Sequence, residues 1–266
     1  MKKILISVSA FATLISLLFA QTSPTTGVGQ LPSQTTAIKG VLVPVPREIF
    51  DTLDKFANSN WRAAQRPELA QQRSHTDQAE TALLLGVVIA EGFIAVEAKD
   101  AVEVKSVGRA VLKLAGGLGV EKAALRRSRS IVEHAERDDW TAVRKEWDGV
   151  LPDVQRGMNE LKSEQLAQLV SLGGWLRGAE ALAALVLQNY SGQNAELLRQ
   201  PALLDYFEKA LAGMSDDIRA NPMIMRMLEG IQKIRPLVAS EDPQISQKNV
   251  KEISSVSEEL LKSLSR

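Results

Sequence analysis

From residue 46 onward the apolar residues recur at helical spacing. Ile49, Leu53 and Phe56 follow Pro46, which suits a first helical position. Thr76-Asp77-Gln78 opens a long stretch through Ala98, with Thr76 as the expected N-cap. Val104, Val107, Val111 and Leu114 form an amphipathic stripe that ends at Gly116-Gly117-Leu118-Gly119. Glu121–Arg137 predicts the next helix, and Asp138 or Asp139 caps another carrying Trp140, Val143 and Trp147. Ser163 caps a stretch from Glu164 to about Tyr190, with a bend expected at Gly173-Gly174. Pro201 opens a helix over Ala202–Ala212, and Asn221-Pro222 opens one from Met223 to about Ile234, ahead of Pro236. The last helix spans about Gln244 to Leu264, with Val250, Ile253, Val256 and Leu260 on one face. No segment holds a period of two. Val41–Val45 is extended at best and too proline-bound for a central strand. The expected class is all-α, an irregular bundle of about eight to ten helices.

A weak internal similarity at an offset of 87 residues raises the alternative of two pseudo-repeated helical halves. It aligns Thr76-Asp77-Gln78 with Ser163-Glu164-Gln165, Leu85-Gly86 with Leu172-Gly173, and Glu121-Lys122-Ala123 with Glu208-Lys209-Ala210. Chance agreement in an Ala/Leu/Glu-rich chain is the competing explanation. Small residues also stand at helical spacing: Ala82, Gly86 and Ala90 on one face, Gly174 and Gly178 on another. Glycine inside a helix costs about 1 kcal/mol relative to alanine. Close approach of a neighbouring helix is the expected compensation, with room for a ligand as the alternative.

The first twenty residues carry a different pattern. Met1-Lys2-Lys3 is positive, Ile4–Phe19 is uncharged, and Ala20 is a small residue before Gln21. This is the layout of a secretory signal peptide. The uncharged run has 16 residues, short of the roughly 20 of a spanning helix. Cleavage between Ala20 and Gln21 is therefore expected, with an uncleaved anchor as the rival. Residues 21–43 are rich in Ser, Thr, Gln, Pro and Gly, with Lys39 as the one charge, and predict a flexible linker. Residues 44–266 form the expected single helical domain, soluble and without a stable membrane span after cleavage. The longest later apolar run, Ala82–Ala90, is nine residues.

Composition narrows the chemistry. The chain of 266 residues contains no cysteine, so disulfides, thiolate metal sites and thiol nucleophiles are excluded. That absence suits an oxidising compartment such as a bacterial periplasm. Basic and acidic residues balance at 32 each, which gives no global attraction to nucleic acid or anionic membrane. The two histidines, His75 and His134, lack the spacing of a metal site, and no cofactor is implied.

The remaining motifs have packing explanations. Gly116-Gly117-Leu118-Gly119 follows a helix rather than a strand and reads as a C-cap and turn, not a phosphate loop. Arg126-Arg127-Ser128-Arg129-Ser130 is a basic run, offset by Glu133, Glu136, Asp138 and Asp139, and reads as a solvated helix face. His134–Val143 resembles one hairpin of a tetratricopeptide repeat over ten residues, without the 34-residue period. Met223 and Met227, with Met214 nearby, are expected in the core while Met225 points away.

Glu91 stands out, a lone carboxylate in the otherwise apolar stretch Ala82–Val96. It must pair, protonate or reach the surface. Arg177 and Glu180 sit in the other glycine-containing apolar helix, next to Trp175. Glu91 is expected to be buried against Arg177 or Arg109, and Glu91, Trp175, Arg177 and Glu180 are the candidate ligand-binding residues. Two function classes follow. One is a non-catalytic exported module that binds an envelope protein, a peptide or a small ligand. The other is a periplasmic carboxylate-dependent enzyme of hydrolase type, with Glu91, Glu97 or Glu180 as acid or base.

Overall fold

The computed structural model describes residues 35–38, 41–44, 54–56, 59–72, 75–239, 242 and 244–265. Ala20, Gln21 and the expected start of a helix at Pro46 lie outside them. Thr35–Ile38 (β1) and Val41–Pro44 (β2) pair antiparallel as a small ribbon, with Ile38 opposite Val41. The ribbon falls where an unstructured linker was expected and crosses the end of that segment. Both strands are edges, which is where a strand tolerates proline.

The domain itself is an all-α multi-helix bundle. Among the described residues, the helices of eight residues or more are α1 (Gln78–Glu97), α2 (Ala101–Gly117), α3 (Glu121–Glu136), α4 (Trp140–Trp147), α5 (Val150–Glu160), α6 (Glu164–Gln188), α7 (Pro201–Ala212), α8 (Pro222–Val238) and α9 (Gln247–Leu264). Shorter helical turns fill Asp54–Phe56, Trp61–Ala64, Pro67–Gln71, Gly192–Leu198 and Asp216–Arg219.

Local chemistry explains most boundaries. The side chain of Asp77, not Thr76, caps α1 by accepting from the Glu80 N–H at 3.0 Å. Asp139 caps α4 and Asn221 caps α8 in the same way. After α2, Gly119 takes φ +76°, and the Val120 N–H reaches back to the Ala115 carbonyl at 2.9 Å, so the glycine run is a C-cap. Two boundaries correct the sequence reading. α8 continues through Pro236 to Val238, because a proline in the last turn disturbs little of the remaining helix. α9 begins at Gln247, capped by Ser246, rather than at Gln244. Helix α5 was not anticipated, although Val150, Val154 and Met158 keep helical spacing and are all buried.

Two helices form the centre. Sixteen of the twenty residues of α1 are buried, so neighbours cover it on every side. It crosses α6 with backbone against backbone. A Cβ on Gly86 would lie 1.9 Å from the Val170 carbonyl oxygen, and one on Gly173 would lie 2.0 Å from that of Leu83. Gly173 therefore takes the place expected for Gly178, whose Cβ would meet nothing within 4 Å. α6 runs unbroken through Gly173-Gly174. By length and mean hydropathy both α1 and α6 could cross a membrane, which the length of their apolar runs had not suggested. Most of each is buried within the bundle.

The other helices flank this pair. α2 packs on α1, α3 on α2, and α4 on α3. α9 packs on α6, α8 on α9, and α7 on α8. The two wings thus follow opposite chain orders, whereas repeated halves would follow the same one. Only the crossing obeys the offset of 87, which relates Gly86 to Gly173 and Leu83 to Val170. Trp147 of α4 fills the gap beside Gly92 of α1, and its indole N–H donates to the Ile89 carbonyl at 3.1 Å.

Candidate functional site

Three of the four candidate residues meet inside the bundle. Glu91 and Arg177 are wholly buried and Glu180 is nearly so. Arg177 Nε donates to Glu91 Oε2 at 2.7 Å, and Nη1 donates to Glu180 Oε2 at 2.5 Å. Nη2 donates to the Ala64 carbonyl at 2.5 Å. The pairing of Glu91 with Arg177, expected from the sequence, is present. Sequence reasoning missed the fourth member, Arg66. Its backbone N–H donates to Glu91 Oε1 at 2.7 Å, and its Nη2 donates to Glu180 Oε1 at 2.8 Å. No periodicity marks Arg66, because it lies between two helical turns.

Two guanidinium groups and two carboxylates make this network neutral, and every carboxylate oxygen in it accepts a hydrogen bond. Burial pushes the Glu91 carboxyl above its ordinary value, opposed by the Arg177 guanidinium and the Arg66 N–H. The network ties the segment around residues 64–66 to α1 and α6. Trp175 stands apart from it. Its indole N–H donates to Gln200 Oε1 at 3.1 Å, and its ring packs 5.8 Å from that of Phe207. Glu97, the third candidate carboxylate, pairs with Arg144 of α4 at 3.3 Å.

Other sequence signals resolve into contacts. His75 lies 3.0 Å from Glu80 and 3.1 Å from the Leu264 carbonyl, and joins the start of α1 to the end of α9. His134 sits by Asp139 in the α3–α4 turn. Among the described residues no group of three His, Asp or Glu side chains could hold a metal ion. Met214, Met223 and Met227 are in the core and Met225 is exposed. The basic run is not uniformly solvated. Arg127 turns inward to Asp153 of α5 at 2.9 Å and Glu146 of α4 at 3.0 Å, lying over Gly149.

A groove lies elsewhere, between α2 and α3. It encloses about 480 Å³ and is floored by Val104, Val111, Ile131 and Trp147. Lys105 of α2 and Glu136 of α3 are joined by a 2.6 Å ion pair on its lining. A second groove of about 290 Å³ between α8 and α9 has four charged residues on its lining, Arg226, Glu229, Lys233 and Glu259. Neither groove is lined by Glu91, Glu97 or Glu180. Comparison with protein-family models, with curated proteins and with solved structures finds no match to this chain.

Proposed function

We propose that this chain is an exported, non-catalytic binding module whose site is the α2–α3 groove. The observation that carries this reading is the separation of the three candidate catalytic carboxylates from both grooves. The three carboxylates best suited to acid–base work are committed to arginines, and none lines a groove. The groove's volume of about 480 Å³ is in the range of small-ligand sites, which are typically apolar with few polar groups. Export to the bacterial envelope rests on the layout of Met1–Ala20, and a partner there is the natural source of ligand.

An uncharged apolar dye tests the binding reading. Nile red should bind the full-length chain saturably and lose that binding in Gly108→Leu, which fills the groove. Equal uptake by parent and variant would remove the groove from consideration. Intact mass of envelope material reports on export, with a chain beginning at Gln21 expected.

A further inference from the structure

We propose that the α2–α3 groove takes an amphiphile with one hydrocarbon chain and a single anionic head group, of which a long-chain carboxylate is the simplest. This inference rests on the groove being the binding site and adds the chemistry of what fills it.

The charges on the groove's lining come first. Lys105 pairs with Glu136 at 2.6 Å, and Arg129 pairs with Glu133 at 2.7 Å. These two pairs cancel. Arg109 is exposed, lines the groove, and makes no hydrogen bond or ion pair among the described residues. One positive charge is therefore left over, on an exposed side chain beside apolar surface. A guanidinium binds a carboxylate or phosphate oxygen pair through two parallel N–H bonds.

The floor of the groove offers little polar capacity. The Trp147 N–H is used on the Ile89 carbonyl, so only ring carbon faces outward from that side chain. The Ser128 hydroxyl donates to the Leu125 carbonyl. The backbones of α2 and α3 are helical, with their N–H and C=O groups paired internally. A sugar, a nucleotide or an extended peptide brings many donors and acceptors that would lose water without finding partners, which is costly. A hydrocarbon chain brings none. The α2 lining from Val104 to Leu112 covers about 12 Å of helix, a trough rather than a pit.

Gly108 supplies an independent observation. Glycine within a helix costs about 1 kcal/mol, and Gly86, Gly92, Gly173 and Gly230 offset it by admitting a neighbour. A Cβ on Gly108 would meet nothing within 4 Å. No internal contact requires glycine there, yet the missing side chain keeps the trough open. Gly178 is also open, on an exposed part of α6 that lines neither groove.

The test is calorimetric titration of the full-length chain with palmitate and, separately, with hexadecanol, which has the tail without the charge. Parent, Arg109→Gln and Gly108→Leu are compared. Palmitate should bind saturably. Arg109→Gln should weaken palmitate about tenfold and leave hexadecanol unchanged, as for loss of one charge-assisted contact. Gly108→Leu should abolish both. This variant should fold, since leucine favours helix and a Cβ there meets no atom within 4 Å. Unchanged palmitate affinity in Arg109→Gln would overturn the head-group assignment. A chain that takes up Nile red through the groove but ignores palmitate, or accepts only an apolar helical peptide, would overturn the amphiphile and leave the groove reading intact. Failure to bind either the dye or palmitate would overturn both.

Discussion

Arg177 and Arg127 each hold two carboxylates and join separate elements, but their surroundings differ. Arg177 is wholly buried, whereas the Arg127 side chain is about one third exposed. Arg177 joins Glu91 of α1 to Glu180 of its own helix and to the Ala64 carbonyl. Arg127 joins Asp153 of α5 to Glu146 of α4, at the surface of one wing. In the first, water cannot replace a lost partner. In the second, Glu146 can rehydrate and the buried Asp153 keeps a second cation in Arg156. Contacts of similar length therefore carry different consequences, and desolvation sets the difference.

The largest effect should come from Arg177→Met. It leaves Glu91 and Glu180 buried without their shared cation, and chemical denaturation should show a loss of about 3–5 kcal/mol. Adding Glu91→Leu and Glu180→Leu to that variant should recover most of the loss, because a buried ion cluster replaced by apolar side chains is often neutral. A triple variant no better than Arg177→Met would show that geometry around Ala64 and Arg66, rather than charge, is what the cluster maintains. Arg127→Met should cost less, about 1 kcal/mol, since Glu146 can rehydrate and the buried Asp153 keeps its ion pair with Arg156. Equal losses for the two arginine variants would break the comparison.

A neighbouring carboxylate sharpens the same point through pH. Glu103 is buried near Glu91, and among the described residues it has no arginine partner and its Oε1 accepts no hydrogen bond. Burial pushes its carboxyl up from the ordinary 4.5, and the charges of Glu91, Asp100 and Glu68 push the same way. The folded chain then binds this proton more readily than the unfolded chain. Its contribution grows as pH falls from neutrality towards 4.5 and is lost as pH rises through the folded value. Glu103→Gln should be more stable than the parent at neutral pH, and the gap should close on acidification. Thermal melts across that interval read it directly. The smallest effect belongs to Glu133→Gln. Arg129 holds the Glu133 carboxyl below its ordinary value, but both side chains reach solvent, and the melting temperature should not change measurably.

Local information in the chain was enough for several of these features. Spacing located nearly every long helix because one covered face imposes a period of 3.6 whatever the neighbour is. Short polar side chains before those runs marked the caps, within a residue or two. Glu91 was legible as a buried partner of Arg177 because an almost wholly apolar helix has no wet face on which to place a charge. Helix α5 also had the period, but Pro152 and Gly157 obscured it.

Other decisions were taken only in three dimensions. Which glycine meets the opposite backbone depends on the rotation and height of α6, so Gly173 replaced Gly178. Arg66 joins the ion network across 114 residues from Glu180, and Arg127 finds Asp153 and Glu146 after two chain reversals. The α2–α3 groove is absent space, and absence has no residue pattern except the unoccupied side of Gly108. The sequence by itself determined a helical chain, its punctuation and the need to pair Glu91, because these follow from neighbours a few residues away. Only the tertiary structure decided which backbones touch, which charges lose their water and where the surface stays open, because those depend on how distant helices are placed against one another.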